Sequence, residues 1–531
     1  MRKLSRLLAG GVAAAVWCGA AAGAAPARAA GFDKKTRERA ERTLRAGEFE
    51  SAEKMYRELL AKDARDSEAR LGLSLALLKQ RKHSDAYDQA ARVVAADPLS
   101  ARAHALLGTS LLGAGDFRLS VEEFRTALTL RDDDAMAIAG LAMVDFYENR
   151  LAASLTGLRR AAFIDPSEPD YVFNLGQVAS RYERYAEAAA AYETFLRVAP
   201  RTDADRRARI QGLIDFLRYL GRQTDLLAVA GPPRAVVPFE LVNNRPIIEV
   251  RINNSKEPLR FVVDTGAGMC VLSTAAADRM GLRPVARGGQ ARAVGGEGRF
   301  EIIYGFLQSL HVGEARVDRV PVYIRQFFND KEPVDGYIGL SVLGKYLTTV
   351  DYAGRAMTLL RGEALREAEP PGAAAVEVPM RTTSSGFWSG EVRLEGVEKP
   401  TNFIIDTGAS VTVVSEALAA REGLERYAQK QVIRVYGAAG LAENIPTLTL
   451  PSLALTPAHV RRNVYAAVLD MESLNETAGF EQTGIVGGNI LRHYRVTFDF
   501  ARAVVVLDPY RAGAPGAADP RATAPVVSTR P

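Results

Sequence analysis

Cysteine and histidine are scarce in this sequence, which limits the chemistry that it can carry. Only two cysteines and five histidines occur among 531 residues, and the histidines are scattered along the chain. A histidine-rich metal centre and a Ser–His–Asp relay are therefore not expected. The apolar content of 47% and the charged content of 25% are ordinary for a globular protein, which argues against wholesale disorder and against an integral membrane protein.

The chain carries almost no net charge once the first thirty residues are set apart. That segment holds four of the 68 basic residues and no acidic residue, so the remainder carries 64 basic against 63 acidic side chains. A chain this close to neutrality has no overall field with which to attract nucleic acid. We therefore expect no nucleic-acid partner.

The first thirty residues have the pattern of a secretory signal. The basic residues Arg2, Lys3 and Arg6 precede a weakly apolar run over residues 7–25, and Ala27-Arg28-Ala29 fits a small-x-small cleavage site. We expect residues 1–29 to be a signal peptide and the mature protein to be exported, to the periplasm or beyond the cell, without a membrane segment. The alternative is an uncleaved membrane anchor, but the run has only 19 residues, four of them glycine.

Residues 32–201 repeat with a period of 34. Turn residues recur at regular steps, at Gly47, Arg81, Gly115, Asn149 and Glu183. Five places after each turn stands a small residue, at Ala52, Ala86, Ser120, Ser154 and Ala188. This pattern resembles about five tetratricopeptide repeats, each a pair of short helices that buries its apolar face only by stacking on its neighbours.

Residues 202–230 are interpreted as a capping helix followed by a linker. Apolar residues stand at helical spacing at Ile210, Leu213, Ile214 and Leu217, which suits a helix that seals the last repeat. The concave surface of such a solenoid usually binds an extended peptide or a protein partner, and this is the role that we expect. A spacer or rigid support for the following residues is the alternative.

The remaining chain consists of two copies of one strand-rich unit. Gly231-Pro232-Pro233 and Pro370-Pro371-Gly372 bound these units, which we place at residues 234–362 and 374–510, followed by an unstructured tail at 511–531. The duplication is visible in two matched segment pairs: Phe261–Ala267 with Phe403–Ala409, and Tyr337-Ile338-Gly339 with Ile485-Val486-Gly487.

Each copy resembles one lobe of the retropepsin-like aspartic proteases. The family's signature is an apolar strand ending in Asp-Thr-Gly, followed later by two apolar residues and a glycine, and both copies have it. The resemblance implies a tetratricopeptide α-solenoid followed by a bilobal β-barrel aspartic protease domain. It implies Asp264 and Asp406 as the catalytic pair, and it needs no metal, nucleotide or other cofactor. The loop-supporting residues implied are Thr265, Gly266, Thr407, Gly408, Gly339 and Gly487.

Two aspartates held together share one proton, because both cannot ionise easily at short distance. The ionised member can then activate a water, while the protonated member supports the oxyanion that develops on the scissile carbonyl. Ala267 and Ala409 stand where pepsin-like enzymes carry a Ser or Thr whose hydroxyl donates to the carboxylate. Without that hydroxyl the pair is harder to ionise, so we expect a working range less acid than that of pepsin.

Glycine-rich segments occupy matched positions 30 residues after each aspartate. Gly295 and Gly296 in the first copy, and Tyr436 and Gly437 in the second, are candidates for flaps that fold over a substrate. A plain surface hairpin is the alternative for either segment. In pepsin-like enzymes the flap tyrosine lies in the first lobe, where this chain has Val294, so the role of Tyr436 stays open.

The resulting hypothesis is an exported aspartic endopeptidase whose repeat arm recruits a protein substrate or partner, possible as a monomer. The alternative from another class is an envelope scaffold or peptide-binding protein with inactive lobes. A third possibility is that each lobe pairs with a lobe of another chain. Cys270 lies in an apolar strand with no histidine nearby in the sequence, and it is interpreted as a buried small residue, not a nucleophile.

Overall fold

The computed structural model describes residues 27–202, 204–292, 299–328 and 333–510. Most of the expected signal peptide, the tail at 511–531 and the flap candidates Gly295 and Gly296 lie outside the described residues. Across the described ranges, none of the helices is both long and apolar enough to cross a membrane.

Paired antiparallel helices form the described chain up to residue 220. The helices are α1 Ala27–Arg45, α2 Phe49–Lys62, α3 Ser67–Lys79, α4 His83–Ala96, α5 Ala101–Gly113, α6 Phe117–Leu130, α7 Ala135–Tyr147, α8 Leu151–Ile164, α9 Pro169–Arg181, α10 Tyr185–Val198 and α11 Ala204–Leu220. The first ten make five helix pairs, in agreement with the repeat pattern in the sequence.

The turn residues expected from the period of 34 lie between the helices of each pair, and all of them have left-handed backbone conformation. Their φ angles are 84° for Gly47, 62° for Arg81, 82° for Gly115, 61° for Asn149 and 59° for Glu183. The five small residues are fully buried, which lets the two helices of each pair approach closely: Ala52, Ala86, Ser120, Ser154 and Ala188. The repeat architecture is therefore confirmed.

The helical arm curves until its first repeat meets its last. A Cβ atom added to Gly47 would lie 2.8 Å from the Cβ of Pro200, so the two segments are in contact. Across the inner surface, Lys79 of α3 pairs with Glu168 at 2.6 Å and with Asp170 of α9 at 2.7 Å. The inner surface of the arm therefore encloses a space.

Helix α11 seals the last repeat and also joins the arm to the first β unit. Ile210, Ile214 and Leu217 pack into the core of the arm, as expected of a capping helix. On its other side, Phe216 stacks on Tyr304 of the β unit with ring centroids 4.4 Å apart. The spacing of apolar residues in the sequence predicts the sealing face but not this second, docking face.

The described residues from 228 onward form two β lobes. The first lobe contains β1 Ala228–Ala230, β2 Arg234–Pro238, β3 Glu240–Val242, β4 Arg245–Ile252, β5 Leu259–Val263, β6 Cys270–Ser273, β7 Ala286–Arg292, β8 Arg299–Val312, β9 Ala315–Arg325, β10 Gly336–Ile338, β11 Leu347–Asp351 and β12 Ala356–Leu360. The second contains β13 Val376–Thr382, β14 Trp388–Leu394, β15 Thr401–Ile405, β16 Thr412–Ser415, β17 Ala428–Gly437, β18 Gly440–Thr456, β19 His459–Leu469, β20 Gly484–Val486, β21 Tyr494–Asp499 and β22 Val504–Pro509. Residues 228–230, which the sequence analysis places in a linker, form β1 and pair with β9.

Short helices complete the two lobes. They are α12 Thr274–Arg279 and α13 Leu340–Leu343 in the first lobe, and α14 Glu416–Glu422, α15 Glu472–Ala478 and α16 Gly488–Leu491 in the second, with 3-10 turns at Gly362–Glu367 and Leu424–Tyr427. Helices α12 and α13 of the first lobe correspond to α14 and α16 of the second. Strand β10 lies between β5 and β6, as β20 lies between β15 and β16. The duplication in the sequence is therefore also a duplication of topology.

One antiparallel sheet joins the two lobes within the chain. Six of the described strands run across the boundary in the order β13-β22-β21-β11-β12-β2. At its centre β11 pairs with β21, and the hydroxyls of Thr349 and Thr497 lie 2.9 Å apart. The two lobes are thus related by a local twofold axis, and each lobe has its partner in the same chain.

Candidate active site

Asp264 and Asp406 occupy equivalent places at the ends of buried apolar strands. The backbone N–H of Asp264 donates to the carbonyl of Ile338 at 3.0 Å, and the N–H of Asp406 donates to the carbonyl of Val486 at 3.0 Å. Because strands β5 and β15 are almost wholly buried, each aspartate is held at the point where its strand leaves the core. The hydrophobic strands therefore fix the positions of two acidic side chains.

The two Asp-Thr-Gly loops are locked together by reciprocal hydrogen bonds. The Thr407 hydroxyl accepts from the N–H of Thr265 at 3.2 Å and donates to the carbonyl of Val263 at 2.6 Å. The Thr265 hydroxyl accepts from the N–H of Thr407 at 3.1 Å and donates to the carbonyl of Ile405 at 2.7 Å. Both threonines are fully buried, so these bonds satisfy backbone groups that water does not reach.

Glycines let the loops approach each other more closely than any side chain permits. A Cβ atom on Gly266 would lie 2.5 Å from the carboxyl carbon of Asp406, and one on Gly408 would lie 2.7 Å from that of Asp264. Each glycine therefore lies directly against the aspartate of the opposite lobe. This crossed contact places the two carboxyl groups beside each other.

The glycines expected to support the loops lie where strands β10 and β20 end. A Cβ atom on Gly339 would meet the carbonyl oxygen of Ala267 at 2.6 Å, and one on Gly487 would meet the backbone of Val411 at 2.5 Å. Any larger residue would therefore displace the aspartate loops. The structure thus brings together all the aspartates, threonines and glycines expected at the loops.

The electrostatics of the pair are those of two carboxyls sharing one proton. Burial raises the pKa of Asp264 well above its usual range, and the charge of Asp406 and the hydrogen bond between the carboxyls raise it further. Burial also raises the pKa of Asp406, but backbone N–H donors, first among them that of Gly408, oppose the shift. Gly408 N–H donates to Asp406 Oδ1 at 2.7 Å. The pKa values belong to the coupled pair and not to either residue, and the backbone donors around Asp406 favour the state in which Asp406 carries the charge.

Cys270 and its counterpart Thr412 brace the two loops in the same way. The N–H of Gly339 donates to Cys270 Sγ at 3.3 Å, and the N–H of Gly487 donates to Thr412 Oγ1 at 3.4 Å. Burial raises the pKa of the Cys270 thiol to about 11, so it stays protonated near neutral pH. The interpretation of Cys270 as a buried residue is confirmed.

The flap candidates Tyr436 and Gly437 lie at the tip of the hairpin of β17 and β18. Gly437 is paired with Gly440, and the Tyr436 side chain is 41% exposed. Across the cleft between the two lobes, Arg325 Nη1 of the first lobe donates to the carbonyl of Ala438 at 2.7 Å. The tip of the second-lobe hairpin thus reaches the opposite lobe and spans the cleft.

Arg325 is a site residue that the sequence analysis missed. It ends strand β9 and lines the cavity that contains the aspartates, and its charge opposes, without reversing, the rise in the pKa of Asp264. It stands in no recognisable motif, since a basic residue at the end of a strand is usually a solvated side chain. Only the pairing of β9 with β6, beside the Asp264 loop, brings it into the site.

The cleft opens into the space enclosed by the helical arm. One cavity of about 3410 Å³ is lined by both aspartates, by Lys79 and Asn174 of the repeats and by Tyr436 of the hairpin. The described residues contain no cluster of histidine, cysteine, aspartate and glutamate able to hold a metal ion. The cavity therefore connects the inner surface of the repeats with the aspartate pair.

Two family models match the chain. The aspartyl protease model matches residues 248–342 and 390–490, one segment in each lobe. The tetratricopeptide repeat model matches residues 43–109 in the arm. Both matches fall where the sequence motifs lie, and the resemblance of the chain to these two families is confirmed.

Several solved structures are similar to one or the other part of the chain. The aspartic proteinase from Irpex lacteus is 14% identical, with 54% of this chain and 99% of that one covered and a TM-score of 0.37. A thermophilic tetratricopeptide protein from Thermus thermophilus is 19% identical, covering 34% and 98%, with a TM-score of 0.30. MamA from Desulfovibrio magneticus RS-1 is 23% identical, covering 31% and 92%, with a TM-score of 0.23. None of the curated proteins matches this sequence.

Proposed function

We propose that this protein is an exported aspartic endopeptidase whose active site is the Asp264–Asp406 pair. The observation that supports this most strongly is the pair itself: two buried carboxyls from equivalent loops, held side by side by crossed glycine contacts, with the pKa of each raised. A structural role for such a pair is unfavourable, because two buried carboxyls repel each other and raise the cost of ionisation. The raised pKa that results from this repulsion is useful in a site that transfers protons.

In the proposed reaction a water lies between the two carboxyls. Asp406, the better-stabilised anion, takes a proton from this water as its oxygen attacks the scissile carbonyl. Asp264 donates its hydrogen bond to the oxygen that becomes negative. As the C–N bond breaks, the leaving nitrogen takes up the proton that Asp406 removed from the water, which returns the pair to its starting state. Oδ1 of Asp264 has no partner among the described residues, which leaves an acceptor for the water.

The repeat arm would deliver the substrate. The arm and the cleft line one cavity, so a chain extended along the inner surface of the repeats leads directly to the pair. Asn174 and Gln177 of α9 lie on that surface. Replacing either with Trp should reduce cleavage of an unfolded protein several-fold while leaving cleavage of an octapeptide unchanged. Equal losses on both substrates would argue against a delivery role.

Endopeptidase activity is tested by incubating the purified protein with a peptide library across a pH range, with and without pepstatin. Asp406→Asn should abolish cleavage, a loss of at least ~10²-fold for an acid–base group. Asp278→Asn is the matched control, because Asp278 is an exposed aspartate of the first lobe. It should cleave like the wild type.

A non-catalytic scaffold is the other outcome of the same experiment. In that case the wild type and Asp406→Asn would both fail to cleave, and both would bind peptides equally. Export is tested separately, by sequencing the N-terminus of protein recovered from outside the cytoplasm. The sequence should begin at Ala30, directly after the proposed cleavage site.

A further inference from the structure

The two lobes differ at one pair of equivalent positions that face the cleft. In the first lobe Arg325 is the strand partner of Ser273, nine residues after Asp264. In the second lobe Leu469 is the strand partner of Ser415, nine residues after Asp406. Both Arg325 and Leu469 line the cavity that contains the aspartates. The local twofold axis therefore relates a cation to an aliphatic side chain.

A second pair of equivalent positions also carries a polar side chain in the first lobe and an aliphatic side chain in the second. Tyr337 pairs with Val262 on β5, and Ile485 pairs with Ile404 on β15, so these two residues also correspond. Both line the cavity. The first lobe thus presents Arg325 and Tyr337 to the cleft where the second presents Leu469 and Ile485.

Arg325 is held in place by aromatic rings. Its guanidinium carbon lies 5.0 Å from the ring centre of Phe327, 5.6 Å from that of Tyr337 and 5.9 Å from that of Phe300. These contacts restrict the long side chain to one place, so little conformational entropy remains to be lost when a ligand binds. The guanidinium is preorganised.

The guanidinium also has donors to spare. Arginine carries five N–H groups, and the one hydrogen bond found for Arg325 in the described part of the chain is that from Nη1 to Ala438. No salt bridge of Arg325 with a carboxylate is found among the described residues. The guanidinium is largely buried, and this loss of solvation lowers the pKa of Arg325. A carboxylate would supply both the acceptors and the compensating charge.

We infer that Arg325 determines specificity, by binding an acidic side chain of the substrate on the first-lobe side of the cleft, while Leu469 and Ile485 bind an apolar side chain on the other. This inference rests on the proposed endopeptidase function and names its substrate class: peptides with Asp or Glu on one side of the site and an aliphatic residue on the other.

The closest rival role for Arg325 is electrostatic support of the aspartate pair. In that case Arg325 would act on every substrate alike, and its loss would move the pH profile without changing any preference between side chains. The two roles are separated by comparing peptides that carry Glu, Gln or Leu at one position and are otherwise identical. Gln has nearly the shape of Glu without its charge.

The wild type should cleave the Glu peptide ~10-fold or more faster, in kcat/KM, than the Gln and Leu peptides. Arg325→Leu gives the first lobe the side chain that the second lobe has at Leu469, so this variant should cleave the Leu peptide faster than the Glu peptide. Arg325→Lys keeps the charge and should retain part of the preference for Glu. Leu469→Met, on the opposite wall, should leave the Glu preference as it is. Equal cleavage of Glu and Gln peptides by the wild type would overturn the inference, whatever the variants do.

A binding measurement separates failure of this inference from failure of the proposed function. Asp406→Asn and the double variant Asp406→Asn/Arg325→Leu are titrated with fluorescent Glu and Gln peptides. Preference of the single variant for Glu, lost in the double variant, supports the acidic subsite even if the wild type cleaves nothing. Cleavage by the wild type without any Glu preference in binding would instead refute the subsite and leave the endopeptidase intact.

Discussion

Phe480 of the second β lobe packs edge-on against Phe117 of the helical arm, with ring centroids 4.9 Å apart and planes at 83°. Tyr147 contacts the same ring at 5.1 Å, and Phe480 belongs to the buried core of the arm although it lies in the second β lobe. The arm and the lobes therefore share hydrophobic core. This contact, together with α11, fixes the arm over the cleft.

Phe480→Ala should loosen the arm from the lobes. Deleting a buried phenylalanine side chain costs about 3–5 kcal/mol, and here the loss falls on the contact between the two parts. We expect a lower urea midpoint and separate unfolding transitions for arm and lobes, measured by circular dichroism and tryptophan fluorescence. Phe163→Ala is the control, since Phe163 is 86% exposed and should leave the midpoint unchanged. An unchanged midpoint for Phe480→Ala would contradict the shared core.

Thr407→Val should destabilise the paired loops. The substitution keeps the shape of the side chain but leaves the N–H of Thr265 and the carbonyl of Val263 without partners, at about 1–3 kcal/mol for each buried group. Thr407→Ser retains the hydroxyl and should lose much less. The free energy of unfolding of the two variants, measured in urea, checks this. Equal stability of the Val and Ser variants would show that the reciprocal bonds contribute little.

Stability should fall with rising pH because of Asp264. Its raised pKa means that the folded protein binds the proton more tightly than the unfolded chain does. The resulting stabilisation is complete below the ordinary aspartate pKa of about 4 and is lost as the pH rises through the raised pKa. Asp264→Asn stays neutral at every pH, so its melting temperature should exceed that of the wild type near pH 8 and converge with it near pH 4. A constant difference across this range would contradict the raised pKa.

Ala409→Ser should move the activity optimum to lower pH. A hydroxyl at this position can donate to the Asp406 carboxylate and stabilise its charge, so the pair would ionise more readily. The optimum is read from the bell-shaped dependence of kcat/KM on pH, which reports the free enzyme. Ala409→Gly adds no donor and should leave the optimum in place. A wild-type optimum near pH 2 would itself refute the expectation of a less acid working range.

Local patterns predicted the parts of this protein whose positions follow from neighbours in the sequence. The positions of the turns at Arg81 and Asn149 follow from the period of 34, whereas their left-handed conformation was found only in the structure. The Asp-Thr-Gly loops follow from a motif preceded by an apolar strand. The duplication allowed Asp264 to pair with Asp406 within one chain, but it left pairing with a lobe of another chain open.

What the sequence analysis missed depends on contacts between distant segments. Phe480 stands in an ordinary loop, and nothing near it in sequence indicates that it enters the core of the arm. Phe216 lies outside the apolar periodicity noted for α11. Its partner Tyr304 lies 88 residues away, in the first β lobe, so the sequence around Phe216 does not indicate the contact. Arg325 became a site residue only through the register of β9 against β6. Sheet register and domain docking cannot be read from short patterns in a single sequence.

Whether one active site uses both aspartates is decided by the kinetics of three variants: Asp264→Asn, Asp406→Asn and the double variant. Groups that act as a unit are not additive, so each single variant should lose essentially all cleavage and the double variant should be no worse. The measurement is kcat/KM on the best library peptide, with folding verified by circular dichroism. If a single variant keeps half of the wild-type kcat/KM, or if the losses of the two single variants add up in the double variant, the two aspartates do not act as one unit.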